Sequence, residues 1–181
     1  MNILGYDWPR LHAALNELPA ALLVVAVLFD LGAALTKRSS LRAAALWTLW
    51  AGVVGGWAAV VAGLEAEDVI EHGEAVHELM ETHERLALIT MAVFTVVLGY
   101  QLIRRGRLAR GEERALRVAG VVGLVGILWT ARVGGAMTFE HAAGIPTAAL
   151  QAEIGDRASH AHHHGGGEDD HDHDTRVPGQ P

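Results

Sequence analysis

An all-α membrane protein, an up-down-up-down bundle of four helices, is the fold this sequence predicts. Three observations carry the prediction: four apolar runs of membrane-crossing length, Lys and Arg gathered in alternate connections, and His and acidic residues gathered at the opposite ends. At 1.5 Å of rise per residue, each run nearly spans a hydrocarbon layer of about 30 Å, with flanking residues and tilt supplying the rest. A soluble helical core is the competing reading, because mean hydropathy is only +0.24. A polar tail and a polar second connection dilute that average, and the membrane reading stands.

The first span is Leu18–Thr36, broken only by Asp30, which lies close enough to its end to pair with a basic residue there. It lacks a cationic n-region and runs into Thr36-Lys37-Arg38 rather than a small-x-small cleavage site, so it reads as a retained anchor. The second span, Ala43–Leu64, carries no charge, and its Gly52 and Gly56 form a GxxxG pair suited to close helix contact. The third is Leu86–Ile103. The fourth, Val118–Phe139, contains Arg132 and the series Gly120, Gly123 and Gly126. These glycines suit either tight packing or room for a flat cofactor.

Lys37, Arg38 and Arg42 sit between spans one and two, and Arg104, Arg105, Arg107, Arg110, Arg114 and Arg117 surround the connection between three and four. The connection between spans two and three has no Lys or Arg before Arg85. Basic connections stay in the cytoplasm, which predicts a multi-pass protein of the bacterial inner membrane with both termini on the periplasmic side. Short basic loops make sequential helices antiparallel neighbours in one bundle. The transmembrane domain is expected over residues 1–150, and a polar tail over 151–181.

No cysteine is present, which excludes disulfides, thiolate ligands and haem attachment through sulfur. Net charge is −7, and topology accounts for the basic residues, so nothing points to nucleic acid. There is no hydride-cofactor motif, P-loop or nucleophile constellation, so an electron-transfer or binding subunit is expected rather than a stand-alone enzyme.

The acidic segment 65–84 holds three histidines. Glu67, Glu71, Glu74, Glu78 and Glu81 recur at helical spacing and read as one stripe. His72 and His83 are eleven residues apart, which at about 100° per residue returns to one side, shared with Val76, Leu79 and Leu86. His83 therefore points along an apolar face into the bundle. His12, before span one, and His141, after span four, reach the same depth. The expectation is that His12, His83 and His141 converge at the outer ends of three helices. Two imidazoles from facing helices suit the axial positions of haem b. Arg132, costly at membrane depth and normally paired, is expected to meet a propionate or an acid such as Glu17 or Glu84.

A second reading uses carboxylates. His77 with Glu74, Glu81 and Glu84, and His72 nearby, offers nitrogen and oxygen donors to a divalent transition metal such as zinc, copper or nickel. The local text His77-Glu78-Leu79-Met80-Glu81 is not a zincin HExxH. From Gly155 onward the chain is too polar to bury a core, and its His160, His162, His163, His164, His171 and His173 would collect metal weakly from a disordered tail. A third reading is a structural subunit without a cofactor. Partners expected are the bilayer, other membrane or periplasmic redox subunits, and a second copy in a homo-oligomer.

Three stretches, LHAALNELPAALLVVAVLFDLGAALTKR, EHGEAVHELMETHERLAL and GGAMTFEHAAGIP, together resemble the bacterial membrane proteins of domain-of-unknown-function family 2231, from about Arg10 to Thr147. Members of that group have four spans and a His followed by His-Phe-Pro before the first. His12 matches the first of these, Glu17-Leu18-Pro19 stands at the second, and Gly134, Gly135 and His141 match the C-terminal motif. The group is distantly similar to four-helix cytochrome b proteins, and that resemblance implies haem binding and electron transfer.

Overall fold

A computed structural model describes residues 5–104 and 107–163, with no side-chain placement at 161–163. Five helices make up the described part: α1 (Trp8–Thr36), α2 (Ser39–Glu67), α3 (Glu74–Arg104), α4 (Arg110–His141) and α5 (Thr147–His163). The first four are each long and apolar enough to cross a membrane. The described residues from Ile145 to His163 form a separate unit. There α5 is supported by the pair Arg157 Nε–Glu153 Oε1 at 2.8 Å, one turn apart. The helix thus runs past the composition change at Gly155, while His164, His171 and His173 lie outside the described residues.

Local chemistry sets the helix ends. Asp7 caps α1 by accepting from the Arg10 amide at 3.1 Å, with Pro9 in the first turn where its missing N–H costs nothing. Lys37 ends α1 in the left-handed conformation (φ 58°), its N–H bonded to the Ala33 carbonyl, and the chain turns at once into α2. At the same end of the bundle Glu112 accepts from the Ala109 amide at 2.6 Å, from the Tyr100 hydroxyl at 2.6 Å and from Arg104 at 3.2 Å, which closes the α3–α4 hairpin. The expected acidic stripe from Glu67 to Glu81 is not one helix. The chain leaves helical geometry between Glu67 and Glu74, where Gly73 lies, so His72 does not share the α3 face with His83.

Each helix packs on its sequence neighbours, and α4 closes the ring onto α1, leaving α1 opposite α3 and α2 opposite α4. The α1–α2 and α3–α4 pairs are the intimate ones, and the α1–α4 seam is the sparsest. The core is a thin column of Leu23, Val27, Leu49, Val53, Met91 and Phe94. Lipid tails are as apolar as this core, so association depends on steric fit and polar ties rather than on burial itself.

The fit is made by side chains seated on glycines. A Cβ at Gly52 would stand 2.8 Å from Leu23, at Gly55 2.9 Å from Pro19, and at Gly63 3.0 Å from the His12 ring. In the second hairpin the corresponding seats are Gly123 under Phe94 (2.7 Å), Gly126 under Thr90, and Gly134 under the His83 ring (3.0 Å). Every member of the second set stands 71 positions after its partner in the first, as His83 does after His12 and Gly134 after Gly63. The bundle is therefore two copies of one helical hairpin, related by an approximate twofold axis along its length. The mid-bundle glycines Gly52, Gly55, Gly56, Gly123 and Gly126 are filled by neighbouring apolar side chains and Thr90, which selects tight packing over space for a flat group at those levels.

Phe94 is fully buried, whereas the group over Gly56 is the flexible end of Met91. Gly123→Ala should therefore destabilise the protein by about 1–3 kcal/mol, as overpacking against a rigid ring does, and Gly56→Ala by clearly less. Unfolding of the two variants in detergent checks the order.

Candidate functional site

The diagonal helices α1 and α3 bring one pair of histidines together across the approximate axis. The His12 and His83 ring centres are 6.3 Å apart with planes at 85°. His12 Nδ1 lies 2.8 Å from the Ala59 carbonyl of α2, and His83 Nδ1 lies 3.1 Å from the Thr130 carbonyl of α4. These two bonds also obey the 71-residue offset.

The glycine seats explain why those carbonyls are reachable. In a helix the side chain at position i+4 lies over the preceding turn and covers the carbonyl of residue i. Gly63 stands four residues after Ala59, and Gly134 four after Thr130, so both carbonyls stay uncovered and both rings settle against bare backbone. A carbonyl only accepts, so each Nδ1 carries the hydrogen. In the neutral ring the lone pair then resides on Nε2. The arrangement fixes tautomer and orientation as outer-shell partners of metal-bound imidazoles do.

The other sequence-nominated residues are distributed differently. His141 is the exposed last residue of α4, seven positions beyond Gly134 and so about 10 Å farther along the helix than the seat of His83. His12 and His83 are brought together, and His141 is set apart from them. Arg132 is exposed and makes no hydrogen bond or ion pair among the described residues, with Glu17 and Glu84 included. His72 bonds the Ile70 carbonyl through Nδ1 (2.7 Å) and stacks on His77, with ring centres 5.5 Å apart. His77 Nε2 stands 3.6 Å from Glu81, whose other oxygen takes Arg85 at 2.8 Å. Glu74 opens α3 and is exposed, and Glu84 is half-buried. Among the described residues no three His, Asp or Glu gather closely enough to hold a metal ion by themselves. His160 is exposed on α5, and the side chains of His162 and His163 lie outside the described residues.

At the opposite end of the axis Arg117 Nε bonds Asp30 Oδ2 at 3.1 Å, the pairing expected for a charge near that end of the first span. Both line a chamber of about 30 Å³ with Gln101, Phe94, Val97 and Leu116, room for roughly two waters. Asp30 and Gln101 are again 71 positions apart, so the axis carries a polar pair at each end and an apolar column between.

Sequence reasoning passed over Ala59, Thr130 and Gly63, and met Gly134 only as part of the C-terminal motif. The signal was available as an offset: His12, Gly52, Gly55 and Gly63 recur 71 residues later as His83, Gly123, Gly126 and Gly134. No curated protein and no solved structure matches the chain. A family described as "Predicted membrane protein (DUF2231)" matches residues 9–147, which takes in the four long helices except Trp8, both histidines and the glycines under them. The chain belongs to this DUF2231 family of membrane proteins.

Proposed function

We propose that this protein is a four-span cytochrome of the bacterial inner membrane, carrying haem b on His12 and His83 and passing electrons within a larger redox complex. The observation that carries the reading is the paired imidazoles, each locked by a backbone carbonyl so that Nε2 is the free donor. The ring centres, 6.3 Å apart, are close enough that both imidazoles would hold one metal-centred group. A bare divalent ion prefers three or four protein donors. Two imidazoles, with no third His, Asp or Glu gathered beside them among the described residues, suit a metal group that would bring further nitrogen donors of its own. When bound, haem supplies one-electron chemistry with a potential tuned by axial ligands and burial. The residues of the chain hold the donors and set their orientation.

The basic ends of the two hairpins belong on the cytoplasmic side by the positive-inside rule. That orientation puts the histidine pair and both termini toward the periplasm and the Asp30–Arg117 pair toward the cytoplasm.

The test is an absorption spectrum of detergent-extracted protein, oxidised and then dithionite-reduced, with metal analysis of the same sample. A Soret band, sharp α and β bands on reduction, and one iron per chain are expected. A featureless spectrum after expression with ample haem would sink the proposal, and stoichiometric zinc, copper or nickel would point to metal handling instead.

A further inference from the structure

Arg132 is turned away from the histidine pair. Thr130 and Gly134 face His83, and Arg132 lies midway between them in sequence, about 200° around the helix from either. The face it occupies is apolar and open: Leu128 is 62% exposed one turn before it, and Phe139 is 90% exposed two turns after it. Fifteen residues separate it from Arg117 at the basic end, about 22 Å of rise, which leaves it roughly 8 Å short of the far edge of a 30 Å layer. No acid of the described residues neutralises it. A guanidinium in that position is too costly to leave bare and is within snorkelling reach of the headgroups.

We propose that Arg132 binds the phosphate of a phospholipid in the leaflet at the histidine end, so that this face of α4 holds a lipid in a defined place. The guanidinium fork matches a phosphodiester in two parallel hydrogen bonds. Acyl chains then lie along Leu128 and Val125, which are exposed on the same side. Gly135 leaves open space beside Arg132, since nothing stands within 4 Å of the position a Cβ would take. That notch admits the glycerol backbone close to the helix. Free phosphate would have to enter between apolar side chains, so the lipid is the source of the anion. This site is independent of any haem.

The experiment is native mass spectrometry of delipidated full-length protein titrated with phosphatidylglycerol, with diacylglycerol and inorganic phosphate as separate probes. Wild type is expected to retain one phospholipid that Arg132→Leu binds about tenfold more weakly, as expected for loss of a charge-assisted pair. Arg132→Lys should fall between them. Diacylglycerol should not be retained, and inorganic phosphate should not compete. Equal retention by wild type and Arg132→Leu overturns the proposal, as does competition by inorganic phosphate. A dimer present in wild type and lost in Arg132→Leu also overturns it, because the arginine would then serve a second copy. Leucine on a lipid-facing helix surface is compatible with folding, and the lysine variant preserves the charge if it is not.

Discussion

Replacing His83 by alanine should abolish the haem spectrum while leaving a four-span protein in the membrane, and His12→Ala should do the same. The fold survives because neither ring completes a helix. The Thr130 and Ala59 carbonyls lie within α4 and α2, and each loses only the added imidazole bond, worth about 1 kcal/mol. The cofactor does not survive, because removing one imidazole takes half of a two-donor set. His141→Ala and His77→Ala serve as controls and should keep full haem, since His141 stands beyond the pair and His77 is stacked on His72. A sharper form of the same prediction leaves both imidazoles in place. Gly134→Leu puts a side chain where the His83 ring sits at 3.0 Å and covers the Thr130 carbonyl, so the ring must turn out of its position. Its spectrum should match that of His83→Ala. Full haem in His83→Ala removes the axial assignment, and full haem in Gly134→Leu removes the role given to the seat.

The sequence made the spans legible because apolar runs and alternating basic loops are global patterns that no single contact can overturn. It also placed Asp30 beside a basic residue, since a charge near the end of a span has few other outlets. Helical periodicity turned His83 inward, which the His12 contact bears out. Three things were harder to read. The stripe from Glu67 to Glu81 followed a helical period across Gly73, a residue able to break it, and the chain does leave helical geometry there, which separates His72 from the face of His83. His141 closes α4 about two helical turns beyond the Gly134 seat, an offset along the axis that the ends of apolar runs do not register. The duplication rests on few identities. His12 and His83, and three glycines in each hairpin, are retained, while Leu23 has become Phe94 and Pro19 has become Thr90. The repeated element is a steric device, a side chain on a glycine, and many residue types can occupy the upper half of it.

That duplication yields a second prediction of large effect. Arg117→Leu should destabilise the protein by about 2–3 kcal/mol, somewhat less than a fully buried broken pair costs, because the partners are 24% and 35% exposed and partly screened. The remaining Asp30 would face a small chamber with apolar walls, and the seam left without its tie is the α1–α4 seam, the sparsest of the ring. The other hairpin shows how the same position works without charge. The counterpart of Asp30 is Gln101, and the counterpart of Arg117 is Leu46, 71 positions earlier on α2. The double variant Asp30→Gln with Arg117→Leu writes into the α1–α4 seam the pair that the α2–α3 seam already accommodates. It should recover to within about 1 kcal/mol of wild type, since replacing both members of an ion pair avoids the uncompensated charge that makes single removal costly. Unfolding of the single and double variants in detergent measures the cycle. Equal losses in the two would mean that the carboxylate is not what the arginine neutralises, and that the two hairpins are not equivalent at this end of the axis.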